Sequence, residues 1–117
     1  MADFTMKRGD TLPINHTVTD GGAAVNLTGK SLRFMAKRSV ADADSAAVIT
    51  KTIGSGITVT NPTGGLAQTL ISPADTTGLP AIAQLLQWDL QMVDGSNVYT
   101  LESGTLLVSP DVSVTSP

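Results

Sequence analysis

Few residues in this chain have side chains that could do chemistry. His16 is the single histidine. General acid–base catalysis and imidazole metal binding need partnered groups, so a lone histidine argues against a multi-histidine metal site and against a His-based triad. It shares one face of a period-2 run with Ile14 and Val18, and is expected to be a packed or hydrogen-bonded core residue. Asp42 and Asp44 stand two apart, as carboxylates in a calcium loop do. Ser and Ala surround them, and neither the glycine nor the bidentate Glu of such a loop follows at the required spacing, so a solvated loop is expected. Gly54, Gly56, Gly64 and Gly65 precede no Lys-Ser or Lys-Thr and open no helix, which makes them turn glycines and not a phosphate cradle. Arg8-Gly9-Asp10 spells the integrin-binding tripeptide, yet Gly-Asp between two strands is an ordinary turn. Asn15-His16-Thr17 and Asn26-Leu27-Thr28 fit the glycosylation sequon, and without a secretory signal they read as exposed polar residues. Trp88 lies on an apolar strand face and is expected in the core. Tyr99 is left open between a surface contact and a corner hydrogen bond. No catalytic, cofactor-binding or metal-ligating residue is assigned, and no enzyme is expected.

The elements that hold these residues are short and β-like. Nine runs separated by turn signals are expected as strands: Phe4 to Arg8, Leu12 to Thr19, Ser31 to Lys37, Val48 to Thr52, Ile57 to Thr60, Leu66 to Ile71, Leu85 to Val93, Asn97 to Leu101 and Thr105 to Val108. The last three form a three-stranded antiparallel meander, turning at Asp94-Gly95 and at Ser103-Gly104. In its first strand Leu86, Trp88, Leu90 and Met92 project to one face, and Gln87, Asp89 and Gln91 to the other. Leu66 and Leu70 oppose Ala67 and Ile71, so that strand is expected to be buried on both sides. Asp20-Gly21-Gly22, Thr28-Gly29, Gly54-Ser55-Gly56 and Asn61-Pro62 with Gly64-Gly65 are expected reversals. Ser72-Pro73-Ala74-Asp75 has a capping Ser, Pro at the first helical position and Asp three residues after the cap. It predicts a single helical turn ended by Gly78 and Pro80. Ala41 to Ala47 is either a short helix or a loop. The expected fold is an all-β antiparallel sandwich over residues 1–109 with one short helical turn, followed by an extended arm or tail over 110–117.

Totals agree with one folded domain. Of 117 residues, 41% are hydrophobic and 15% charged, too apolar for a disordered chain. A net charge of −3 argues against a nucleic-acid partner, which asks for a basic face. With no cysteine there are neither disulfides nor thiolate metal sites. The N-terminus lacks the apolar run of a secretory signal, and no run approaches 18 apolar residues, so no membrane partner is expected.

Three segments together resemble a known family. They are KRGDTLPINHTVTDGGAAVNLTGKSLRFMAKRS at Lys7 to Ser39, GITVTNPTGGLAQTLISPADTTGLP at Gly56 to Pro80, and LLQWDLQMVDGSNVYTLESGTLLVSPDVS at Leu85 to Ser113. They are similar to the immunoglobulin-like N-terminal domain of bacteriophage baseplate upper proteins, with its "rGDt" start, "vdLtGasvrf" strand, "SPADT" turn and closing meander. The resemblance implies an immunoglobulin-like sandwich in a virion structural protein that is assembled in the host cytoplasm and binds other phage structural proteins of tail, neck or capsid. It also implies a homo-oligomer, commonly a trimer. Family members carry a rod beyond the sandwich, whereas this sequence stops at Pro117. The expectation is therefore a domain that docks on a larger assembly as a tail or baseplate adaptor. Its alternatives are a head decoration protein and a host-surface or glycan-binding module using Ala41 to Ala47 and the Gly-rich loops. Position at expected edges and ends nominates Phe4, Met6, Arg8, Lys37, Arg38, Val112 and Val114 as contact residues.

Overall fold

Period-2 alternation of buried and exposed residues runs through most of the longer strands of the computed structural model, which describes residues 2–39, 41–79 and 82–110. The strands are β1 (Ala2–Lys7), β2 (Leu12–Thr17), β3 (Thr19–Asp20), β4 (Ala23–Ala24), β5 (Ser31–Lys37), β6 (Ile49–Ile53), β7 (Gly56–Asn61), β8 (Leu66–Ile71), β9 (Gln84–Asp94) and β10 (Asn97–Ser109). A 3-10 turn at Asp44–Ala46 and the helical turn α1 (Pro73–Thr76) are the helical pieces among the described residues.

Eight strands form one sheet in the order β1-β10-β9-β5-β6-β7-β8-β2, and β3 and β4 form a separate ribbon around Asp20-Gly21-Gly22. The sheet curls until it is nearly closed, bringing His16 of β2 to Glu102 of β10 across the interior at 2.8 Å. All-β is therefore right, but wholly antiparallel is not: β1 runs parallel to β10, and β6 parallel to β7. The enclosed core is aliphatic around one aromatic cluster. Phe34 and Trp88 stack at 5.2 Å between centroids, and Phe4 lies 5.8 Å from Trp88. Ile14, Leu32, Ile49, Ile57, Leu86, Leu90 and Leu106 fill the space around them.

Four other sequence expectations change. β10 is a single strand of 13 residues, so the expected meander is a long hairpin, and Ser103-Gly104 is no turn. Gly104 instead sits opposite Trp88 in the ladder, leaving room beside the indole. The register slips between Thr100 and Glu102, making Leu101 the extra residue of a bulge. Gly54-Ser55-Gly56 does not reverse the chain. It makes a crank that steps the strand sideways from β5's neighbour to β8's neighbour while keeping its direction. Gly54 and Gly56 take φ of +84° and +104°, a region L side chains avoid. β8 is buried on one face: Ala67, Thr69 and Ile71 point in, and Leu66 and Leu70 stay 37% and 42% exposed. The second run also ends at Thr17, two residues early, where Thr19 leaves the main sheet for the β3–β4 ribbon.

The Asp94-Gly95 hairpin and the helical turn behave as expected. Ser72 caps α1 with Pro73 first in the helix, and Asp75 Oδ2 accepts from the Ser72 N–H at 2.7 Å and its hydroxyl at 3.0 Å. Pro80 lies outside the described residues.

Candidate contact surfaces

His16 is 1% exposed, on the inner face of β2. Its Nδ1 is 2.8 Å from Glu102 Oε1, and its Nε2 is 2.8 Å from Thr69 Oγ1. Both ring nitrogens are thus satisfied, as a buried imidazole requires. The connectivity hydroxyl–imidazole–carboxylate is that of a catalytic triad, which takes only one histidine, so the expectation that a lone histidine argues against a triad is corrected: the count is no argument. Thr69 is 0% exposed, however, and its hydroxyl has no face open to a substrate. The relay ties β8, β2 and β10 together across the interior, a structural job.

A second polar assembly sits at one end of the sheet. Arg8 Nη1 donates to the Thr77 carbonyl at 2.8 Å, and the Gly9 N–H donates to Thr76 Oγ1 at 2.8 Å. On the other flank of α1, Lys51 Nζ of β6 lies 2.8 Å from Asp75 Oδ2. α1 therefore clamps the β1–β2 corner to β6. The Arg8-Gly9-Asp10 tripeptide is part of this clamp, with its guanidinium turned onto the protein's own backbone.

Two outward sheet faces remain. Across β5, β9 and β10 runs a groove of about 270 Å³, lined chiefly by Arg33, Met35, Lys37, Gln87, Asp89 and Gln91. Arg33 Nη2 donates to Gln91 Oε1 at 2.6 Å, and Met35, opposite Asp89, is covered by its polar neighbours to 8% exposure. The outward residues of β2, β7 and β8 contrast with these in carrying no charge: Pro13, Asn15, Thr17, Thr58, Leu66, Gln68 and Leu70. Gln68 Nε2 donates to Asn15 Oδ1 at 3.0 Å across that face.

The nominated contact residues are scattered. Met6 is 5% exposed and belongs to the core, and Phe4 is half-buried against Trp88. Arg8 is held in the α1 clamp. Lys37 borders the groove, with its Nζ donating to the Asp42 carbonyl at 2.9 Å. Arg38 is exposed and lies near Val48 and Leu79 at the α1 end. Val112 and Val114 lie outside the described residues. Asp42 belongs to the loop before the 3-10 turn, and among the described residues no group of three or more metal-type side chains converges. Among the described residues no helix is long and apolar enough to cross a membrane.

Glu102, Thr69 and Lys51 were not singled out from sequence. Glu102 had no readable signal, because its inward direction depends on the bulge at Leu101. The chain matches no protein-family model and no curated protein.

Proposed function

We propose that this protein is a non-enzymatic structural component of a phage virion. It docks on a larger assembly as a tail or baseplate adaptor, and its curled sheet is an immunoglobulin-like sandwich. The observation that carries this reading is the contact between two of the segments behind the family resemblance. The "rGDt" corner at Arg8 to Thr11 and the "SPADT" turn at Ser72 to Thr76 are 60 residues apart in sequence, yet the Gly9 N–H meets Thr76 Oγ1 at 2.8 Å. Motifs matched by chance have no reason to meet, whereas parts of one inherited fold do. The weak ladder between β6 and β7, only Thr52↔Gly56 and Ile53↔Ile57, supports a division into two layers, β1-β10-β9-β5-β6 and β7-β8-β2.

Docking then falls to the outer face of β5, β9 and β10. Its Arg33, Lys37 and Asp89 give directional polar contacts, and its groove gives a receptor for a partner's side chain. The test is quantitative mass spectrometry of purified virions, followed by binding of the isolated protein to tail and capsid proteins. A tail adaptor is present in a handful of copies. Hundreds of copies would make it a head decoration protein, and absence from virions would end the proposal.

A further inference from the structure

Among the described residues, each end of the sheet is an open edge. The two edges are not equivalent. On β2 the Val18 N–H donates to the Gly65 carbonyl, so the even-numbered residues of that strand turn their backbone toward β8 and the odd ones toward solvent. Pro13 is one of the odd ones, and it has no N–H to offer, so the β2 edge is blunted. β1 has no such guard. Its neighbour's register places Lys7 beside Ser109, and the Arg8 N–H donates to the Ser109 carbonyl at 2.8 Å. By the same alternation Phe4 and Met6 turn their backbone toward β10. Asp3 and Thr5 turn theirs to the open edge, as does the Lys7 N–H, while the Lys7 carbonyl accepts from the Asp10 N–H at 3.1 Å, and all three side chains are exposed.

We propose that β1 is a self-complementary edge, which pairs antiparallel with β1 of a second copy about a two-fold axis at Thr5. In that register Thr5 faces Thr5, Asp3 of one copy faces Lys7 of the other, and the reverse pair repeats it. The hydrogen-bonding parity fits. The two Thr5 residues exchange two backbone bonds, and each Lys7 N–H reaches the Asp3 carbonyl of the other copy, giving four bonds from groups the single copy leaves at its edge. The charges fit as well. A lysine on an edge ordinarily repels a second copy, but here the two-fold brings each lysine opposite an aspartate. Asp3 Oδ1 accepts the Thr105 hydroxyl at 2.8 Å, which fixes the carboxylate on the outward face. Because β1 has only one free side, such pairing ends at two copies and joins two sheets into one.

Six residues a side is far below a standard interface of about 1,600 Å², so the association belongs at protein concentrations of about 0.1–1 mM. Sedimentation equilibrium of the full chain should approach twice the 12.0 kDa monomer mass in that range. Lys7→Asp and Asp3→Lys each turn both cross-strand pairs into like charges, and each variant alone should self-associate about tenfold or more weakly. An equimolar mixture of the two should recover wild-type association, since one copy then carries two acids and the other two bases. Thr5→Pro removes an outward N–H that no bond among the described residues uses, and should also abolish pairing while circular dichroism stays native. A chain that remains monomeric at about 1 mM, a trimer, indifference to Lys7→Asp, or a mixture that fails to recover would each overturn the proposal.

Discussion

Glu102 meets His16 because Leu101 is one residue too many. Before the bulge Tyr99 pairs with inward-facing Met92, and after it Glu102 pairs with inward-facing Leu90, so the odd residues give way to the even ones as the inner set. A reader of the sequence sees the change of phase and cuts the strand in two, which is why Ser103-Gly104 looked like a turn. The core placement of His16, by contrast, was legible from Ile14 and Val18 beside it. Its partners were not, since they come from strands 53 and 86 residues away. The two hydrogen bonds should differ in worth. Thr69 is wholly buried, so Thr69→Val strands the imidazole Nε2 without access to water and should cost about 2 kcal/mol. The Glu102 side chain is 28% exposed, so water replaces much of what Glu102→Ala removes, and the loss should be nearer about 1 kcal/mol. Urea unfolding followed by Trp88 fluorescence gives both values, and equal costs would contradict this account.

At the scale of elements, the helical turn was readable and the crank was not. Ser72, Pro73 and Asp75 each carry a local reason for their position, whereas a Gly-Ser-Gly stretch permits a reversal and a sideways step equally well. What selects the step is tertiary: Ile49 and Ile57 both bury into the core, and Lys51 must pass beneath Gly56 to reach Asp75. A Cβ at residue 56 would lie 2.3 Å from Lys51 Cδ, at a φ of +104°. Gly56→Ala should therefore cost about 2–3 kcal/mol, part of it by displacing Lys51 from the carboxylate. Gly95 is a fair control, with φ +62° and nothing within 4 Å of an added Cβ, so Gly95→Ala should cost only about 1 kcal/mol. Asp75→Ala removes the acceptor for Ser72 as well as the partner of Lys51, at about 1–2 kcal/mol. Gly56→Ala and Asp75→Ala act partly through the same ion pair, so the double variant should lose less than the sum of the two. Strict additivity in denaturation midpoints would show that the lysine is not the route.

For the whole molecule, the strand order brings the first strand beside the last. Turn chemistry and alternation announce strands, but nothing local announces that Ala2 aligns with Gly104, so all-β was legible and the mixed order was not. The consequence is that β1, though terminal, is structural. It places Met6 in the core, sets Phe4 against Trp88 and covers one side of a 13-residue strand. Removing residues 1–8 should cost roughly 3–5 kcal/mol in apolar burial, a large share of a domain's net stability of about 5–15 kcal/mol. It also uncovers a long edge of β10 for chain-to-chain pairing. The truncated protein should show a lower urea midpoint and aggregate on warming, and a synthetic peptide of residues 1–8 supplied in excess should reverse both effects by re-forming the parallel ladder with β10. Size-exclusion chromatography and Trp88 fluorescence report the two effects separately. If the truncated chain stays monomeric with an unchanged midpoint, β1 adds no stability to the sheet. If it is destabilised but the peptide does not restore it, the parallel pairing with β10 is not what β1 contributes.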